Sequence, residues 1–495
     1  MINRLLTKAI TFFSSDLGIR FMAEAATRAG GFVITPLLSW SLGAIVFGSY
    51  LQVMSLSFAF VPVVSAGLGF TVIRRIAGTR GTNEAPTLLL TAISIVTALC
   101  LCLGLLLLVF GEQLVSLLAL GALKSGLWLA VAVPVLAWLF AVEAMIGEYL
   151  RALIKARTSL YIQLASFGLH MASLAFILLI DSLSLETAFL ALGTAKLIVI
   201  AIALSPVLLH IKKIGVKQQH DTGILRIAVS GAPFMLSGLA EWAANLGDRL
   251  IVGRFFGSEI VAHYGAGIML LSVITALGAP IWWLLFPMIA GGVRNGNHDE
   301  CRQVVKYHTM LFAELALPVL ALAVLVSNLS ISILLNSPVT DMQPVILLAG
   351  IAILISQLTT GWEYFIVSVS AGKRLMSATI TCSLGGFLLA LYLAPVWGLV
   401  GIAAGTLIGK LCLGLYYAVG ANRNGFGGTA WRTGPMTLLI ALNVSAFFIA
   451  SVLIEKTSST TTSAPFNLIF SIAIFVSIYA IARLCLIKPL QHLRT

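Results

Sequence analysis

The chain has 495 residues, 59% of them hydrophobic and only 10% charged, with a net charge of +12. A soluble protein of this size carries roughly a quarter charged residues, and no polar stretch here is long enough to form a soluble domain, so a soluble globule is excluded. The positive balance does not indicate nucleic acid, because basic residues of membrane proteins collect in cytoplasmic loops.

The opening stretch MINRLLTKAITFFSSDLGIR reads as an amphipathic, basic lead-in. It lacks the long apolar run and small-residue cleavage site of a signal peptide. Beyond it, apolar spans of about 20 residues, the length that crosses a hydrocarbon core, fall near 17–38, 48–72, 87–110, 126–148, 159–180 and 187–209. A second group falls near 229–252, 265–289, 309–327, 344–369, 376–394, 398–419, 435–454 and 466–486. The expected fold is therefore an all-α polytopic membrane protein of about fourteen spans.

Charge placement gives the expected topology. Of the 30 Lys and Arg residues, 23 lie in segments assigned to the inside, and Lys124, Arg254 and Lys456 lie outside. The remaining four, Arg28, Lys196, Arg249 and Lys410, lie within spans. That bias places both termini in the cytoplasm. Trp40, Trp128 and Trp397 then sit at outside ends of spans, where interfacial aromatics belong.

The longest cytoplasmic connection, 210–228, splits the chain. The segment Gly43-x6-Tyr50 recurs as Gly257-x6-Tyr264, and Lys196 recurs as Lys410, both at an offset of 214 (264−50 and 410−196). Six spans per half is an even number, so the halves are expected to be parallel copies related by an axis along the membrane normal. The expected organisation is an N-terminal lobe over 1–209, a linker over 210–228, a C-terminal lobe over 229–420, and two further spans with a tail over 421–495.

Charged residues inside spans are expensive and normally face a cavity or a partner. In the first span, Asp16, Arg20, Glu24 and Arg28 recur every four residues with alternating sign, along one helix face. This is either a self-neutralised stripe or a wet one facing a lumen. Lys196 and Lys410 have no carboxylate three or four residues away, and read either as cations for an anionic substrate or as snorkelling or cross-helix pairs. Glu241 and Asp248 are seven apart and so share a helix face, with Arg249 beside them. Arg28, Lys196, Lys410 and Arg249 are the candidate substrate-binding residues. Glu24, Glu241, Asp248 and Glu363 are the candidate ion-coupling residues. Glu143, Glu148 and Glu314 are weaker candidates, and His170 reads first as a buried, hydrogen-bonded histidine.

No catalytic residues, cofactor or metal site are expected. Cys100, Cys102, Cys382, Cys412 and Cys485 lie in apolar stretches and Cys301 in a basic loop, with no second pair to complete a zinc site. GTLIGK (405–410) lacks the spacing of a phosphate-binding loop and lies inside a span. The loops assigned outside carry no clustered acid, base or nucleophile, which argues against a polymerase or ligase.

The segment SWSLGAIVFGSYLQVMSLSFAF…GLGFTVIRRIAG (39–78) resembles the opening of Wzx-type polysaccharide flippases, within the multidrug/oligosaccharidyl-lipid/polysaccharide exporter superfamily. DRLIVGRFFGSEIVAHYGAG (248–267) repeats the likeness through its Asp-Arg-apolar-Gly pattern, and PVWGLVGIAAGT (395–406) is similar to the family's start of span twelve. The resemblance implies a two-lobed bundle in the bacterial inner membrane that alternates between inward-open and outward-open forms. It also implies an undecaprenyl-pyrophosphate-linked oligosaccharide as substrate, destined for O-antigen, capsule or exopolysaccharide. Membrane lipid is an expected partner, and the polysaccharide polymerase and chain-length machinery are candidate partners. A drug/cation antiporter of the same superfamily is the alternative.

Overall fold

A computed structural model describes residues 30–68, 84–118, 126–153, 156–214, 224–339, 341–369, 372–458 and 467–480. Among the described residues the fold is all-helical, with no strand. The first helices are α1 (Gly30–Leu42), α2 (Ala44–Ser65), α3 (Glu84–Leu117), α4 (Gly126–Ala152), α5 (Ala156–Leu179) and α6 (Leu185–Ile214). They are followed by α7 (Ile224–Asn245), α8 (Asp248–Phe256), α9 (Ser258–Arg294), α10 (His298–Leu325) and α11 (Ser327–Leu335). The last are α12 (Gln343–Leu358), α13 (Thr360–Ser368), α14 (Gly372–Arg423), α15 (Thr433–Ser458) and α16 (Asn467–Ala480).

Every expected span overlaps one of these helices, and ten of the described helical stretches are long and apolar enough to cross a membrane. One of the ten holds two spans. Helix α14 has 52 residues, about 78 Å at 1.5 Å per residue, more than twice a hydrocarbon core. At Gly398 its backbone leaves the helical region, with φ 62° and ψ −144°, a conformation only glycine adopts cheaply. The two arms fold back on each other along a stripe of small residues. A Cβ at Gly401 would lie 2.5 Å from the Leu393 carbonyl oxygen, one at Gly405 2.4 Å from the Ala390 nitrogen, and one at Gly409 2.9 Å from the Gly386 Cα. Spacing of four residues aligns these glycines on one helix face, as close packing of spanning helices requires. This reversal separates the expected spans 376–394 and 398–419.

Packing groups the chain into two compact units, Met1–Ala262 and His263–Thr495. The lobe division expected at 210–228 rests on the sequence repeat.

In the first unit α4 packs against α2, α3 and α6, and α5 against α6. Glycines set the α3–α4 approach: a Cβ at Gly126 would meet the Glu112 nitrogen at 2.5 Å, and the Glu112 carboxylate accepts a hydrogen bond from the Gly126 N–H at 2.8 Å. Tyr50 stacks on Phe189 with ring centres 4.7 Å apart, and Phe58 packs on Phe140 at 4.3 Å. The turn into α6 is capped by its own sequence. The Thr187 N–H donates to Ser184 Oγ at 3.2 Å and the Ser184 N–H donates to Thr187 Oγ1 at 2.7 Å, a reciprocal cap that fixes where the helix starts.

In the second unit the turn between α9 and α10 is short, and Cys301, expected in a loop, is buried in the first turn of α10 with its thiol toward the Ile289 carbonyl. The stretch from Asn424 to Arg432 folds inward, so that Phe426 packs on Phe365 at 5.2 Å and its carbonyl accepts a hydrogen bond from Arg302 Nε at 2.5 Å.

The repeat has a local counterpart in the backbone. Gly43 precedes α2 with φ 80° and ψ 160°, and Gly257 precedes α9 with φ 84° and ψ 169°. The tyrosine seven residues on is buried in both cases, Tyr50 and Tyr264. Carrying the same offset to Gly398 gives residue 184 (398−214), which is the α5–α6 turn.

Candidate functional site

The most concentrated chemistry among the described residues lies in the first unit, in a cluster drawn from α4, α5 and α6. Helix α6 is apolar apart from its ends, and Lys196 sits eleven residues past its first residue, Leu185, roughly 17 Å along the helix. Lys196 thus falls near the middle of the apolar stretch Leu185–Leu209, which is long enough to cross a membrane. Lys196 is 8% exposed, its ammonium forms a close ion pair with the Glu143 carboxylate of α4, and it lies 4.6 Å from the centre of the Phe140 ring. The aromatic face and the carboxylate hold the cation together.

Helix α5 supplies the third group. Ser166, His170 and Leu174 recur every four residues as its buried stripe, which is the face an antiparallel neighbour covers. His170 lies nine residues before the end of α5 at Leu179, about 14 Å along it. Helix α5 packs along α6 across the tight turn between them. The His170 Nε2 is buried with no hydrogen-bond partner.

Of the alternatives open for Lys196, the structure shows the cross-helix pair: its carboxylate comes from another helix, 53 residues away in sequence. Local spacing along one helix cannot show such a pair. The only sequence signal was that Glu143 and Lys196 are each lone charges inside spans. His170, expected to be a hydrogen-bonded histidine, has one ring nitrogen without a bond.

The other candidates are dispersed. Glu24 and Arg28, with Asp16 and Arg20, lie outside the described residues. Lys410 is half-buried on the second arm of α14 and is not free of partners. Glu363 is half-buried in the first turn of α13. Glu241 and Asp248 do not share one continuous helix face. The chain turns at Leu246 and Gly247, whose N–H groups both donate to the Trp242 carbonyl at 2.8 and 3.1 Å, and the register between α7 and α8 is broken there. Glu241 is exposed, whereas Asp248 is 9% exposed and accepts a hydrogen bond from the Arg249 N–H at 2.8 Å. Arg249 is half-buried, with Nε buried and unbonded.

Beside α7 and α8, helix α2 carries a polar seam that the sequence reading missed. Ser258 Oγ donates to Gln52 Oε1 at 2.9 Å and lies 3.1 Å from Ser49 Oγ, while Gln52 Nε2 donates to the Leu118 carbonyl at 3.0 Å. Ser55 Oγ donates to the Leu246 carbonyl and Trp242 Nε1 to the Ser55 carbonyl. At the two ends of α2 the backbones nearly touch, at Gly48 against Ser258 and at Gly67 against Gly231. The only signal for this seam was the run of Gly, Ser and Gln in an otherwise apolar span.

Residues 15–292 match the profile of a family described as polysaccharide biosynthesis protein. No curated protein sequence matches the chain. Among solved structures, the fold is similar to a lipid II flippase, MurJ, in an inward closed conformation, with a TM-score of 0.65 and 12% identity, over 95% of this chain and 99% of that one. It is also similar to an inward-facing multidrug resistance MATE family transporter of the MOP superfamily, with a TM-score of 0.59 and 15% identity, over 84% of this chain and 98% of that one. A MOP superfamily transporter from Pyrococcus furiosus, whose structure was interpreted as having a binding pocket of reversed polarity, aligns with a TM-score of 0.52 and 14% identity, over 84% and 95% of the two chains.

Proposed function

Because the chain belongs to the polysaccharide biosynthesis protein family, we propose that it is a flippase carrying undecaprenyl-pyrophosphate-linked oligosaccharide repeat units from the cytoplasmic to the periplasmic leaflet. The polymer built from them is O-antigen, capsule or exopolysaccharide. The protein works in the inner membrane with both termini in the cytoplasm, as a two-lobed transporter that alternates between inward-open and outward-open forms.

The observation that carries this reading is the family match over 15–292. The fold adds support, since similar structures are named as a lipid flippase and multidrug transporters. Arg28, Lys196, Lys410 and Arg249 are the cations proposed to meet the pyrophosphate, because lysine and arginine are the side chains that bind such groups. Glu24, Glu241, Asp248 and Glu363 are the carboxylates proposed for ion coupling. Moving two negative charges outward, down an inside-negative potential of 100 mV, releases about 4.6 kcal/mol, so the potential assists export without ATP.

The test is a clean deletion in the host. Lipid-linked repeat units should accumulate on the cytoplasmic leaflet and surface polymer should be lost. Normal polymer in a deletion strain with no second flippase would sink the proposal. A drug/cation antiporter, the second reading that the likeness to MATE structures favours, would instead leave polymer intact and sensitise cells to cationic drugs.

A further inference from the structure

We propose that the groove between α5 and α6 is a binding site for one acyl chain of a membrane lipid whose headgroup carries an ammonium, with that ammonium held at Asp181 and Glu186. The proposal goes beyond the flippase reading, because the occupant is a lipid of the surrounding bilayer and not the substrate.

The groove has a volume of about 440 Å³, within the range of about 300–1,000 Å³ found for small-molecule sites. Leu169, Ser173 and Ile177 line it from α5, and Leu190 and Thr194 line it from α6. Each set recurs every four residues, which keeps it on one helix face. The groove opens to the outside of the bundle, since Phe176 and Leu190 on its rim are both 62% exposed. Thr194 adds little polarity, because its hydroxyl donates to the Leu190 carbonyl of its own helix at 2.8 Å. Both helices belong to stretches long and apolar enough to cross a membrane, so what fills the groove is hydrocarbon. Apolarity alone does not choose the occupant, because lipid chains are as apolar as leucine and gain nothing by exchanging one apolar neighbour for another. Selection needs a fitted shape and a polar contact at the end of the groove.

The polar contact lies one turn beyond it. Glu186 precedes Leu190 by four residues and so continues the α6 stripe towards the α5–α6 turn, where Asp181 follows the end of α5 at Leu179. Both carboxylates are exposed, and neither has an ion pair or side-chain hydrogen bond among the described residues. Between His170 and Lys196 the chain has no basic residue, and those two are buried. The mouth of the groove is therefore acidic. Thr194 lies eight residues past Glu186, roughly 12 Å along the helix. A headgroup at the two carboxylates thus leads straight into a chain lying in the groove. Charge complementarity decides which lipid: a terminal ammonium is attracted there, whereas an anionic glycerol headgroup or a polyprenyl phosphate is repelled.

The test equilibrates purified full-length protein in nanodiscs of equal parts phosphatidylethanolamine and phosphatidylglycerol with matched chains, doped with polyprenyl phosphate. Lipids retained after transfer to detergent are then identified by native mass spectrometry. Wild type should keep one phosphatidylethanolamine that Ala172→Phe and Thr194→Phe, which fill the groove from its two helices, both lose. Both positions are exposed, so the variants should fold, and two independent fillings guard against one that does not. Leu105→Phe, at a 65% exposed site on α3, should retain lipid as wild type does. Wild type should prefer phosphatidylethanolamine over phosphatidylglycerol by about fivefold or more, the effect of one unit charge at a membrane surface. The double variant Asp181→Asn, Glu186→Gln should hold the two phospholipids equally. Equal retention by wild type and both filled variants would overturn the site. An unchanged preference in the double variant would overturn the role of the carboxylates, and loss of phosphatidylglycerol or polyprenyl phosphate on filling, in place of phosphatidylethanolamine, would overturn the occupant.

Discussion

The seam between α2 and the start of α9 offers the sharpest test of the packing, through Gly48→Ala. A Cβ at Gly48 would lie 1.6 Å from the Ser258 carbonyl oxygen and 2.6 Å from its carbon. Both atoms are backbone, so no side-chain rotation relieves the clash, and the two helices must separate by roughly 1.5–2 Å to reach ordinary contact. Ser258 also holds the hydrogen bond to Gln52 at 2.9 Å and the contact with Ser49 at 3.1 Å, and all three side chains are buried. Separation leaves those groups unbonded, at about 1–3 kcal/mol each, and overpacking adds about 1–3 kcal/mol. Alanine returns up to about 1 kcal/mol through its helix propensity.

The expected net loss is about 3–5 kcal/mol, or roughly 6–10 °C in melting temperature for a unit of this size. Thermal unfolding of the purified protein followed by tryptophan fluorescence reads it directly. Ser258→Ala removes the hydroxyl without moving backbone and should cost less, about 1–3 kcal/mol. Gly104→Ala is the control, because its Cβ would meet only ordinary contacts at 3.6 and 3.8 Å, and it should be neutral or slightly stabilising. A Gly48→Ala protein that melts within about 2 °C of wild type and exports polymer normally would refute the reasoning.

Three further outcomes are expected. Lys196→Glu and Lys410→Glu should abolish polymer export while the proteins still insert, and the arginine substitutions should retain some activity, since the charge persists in a different geometry; normal surface polymer from the double alanine variant would show that neither lysine meets substrate. Reporters placed after Thr495 and within 457–464 should lie on opposite sides of the membrane, and a shared side would remove the last span. Gly405→Val drives a side chain into the Ala390 backbone, 2.4 Å away, and should lower the folded yield of the α14 hairpin, whereas Gly385→Ala meets open space and should leave yield unchanged.

The helices were legible because apolar runs are long and their interruptions are charged, and the two signals agree. The boundaries of spans eleven and twelve were legible as well, since Gly398 follows Pro395 in a recognisable motif. What hydropathy averaged over about 20 residues does not register is a break of one or two residues. The turn at Leu246–Gly247, between Asn245 and Asp248, and the step at Thr359 between α12 and α13 interrupt stretches that are apolar on average, so each pair of helices reads as one span. Cys301 was placed in a loop because its neighbours are basic, yet α10 begins at His298 and a helix face carries Cys301 inward. Glu143 and Lys196 were each visible as a charge inside a span, but their pairing is a tertiary fact that spacing along one helix does not encode.

The pair is informative because the fold does not require it. Each charge costs about 2.5–3.5 kcal/mol to place at the centre of a spanning helix, and two well-packed apolar residues in place of a buried ion pair are often as stable or more so. Helix α6 has leucine, isoleucine, alanine and valine around Lys196, so an apolar residue would continue its pattern without conflict. Retention of a costly pair therefore calls for a benefit outside stability. Under the proposed flippase function, that benefit is a cation for the anionic lipid that Glu143 covers while the site is empty. Glu143 masks Lys196 in this structure, and removing that mask without removing Lys196 is what separates a structural pair from a working one.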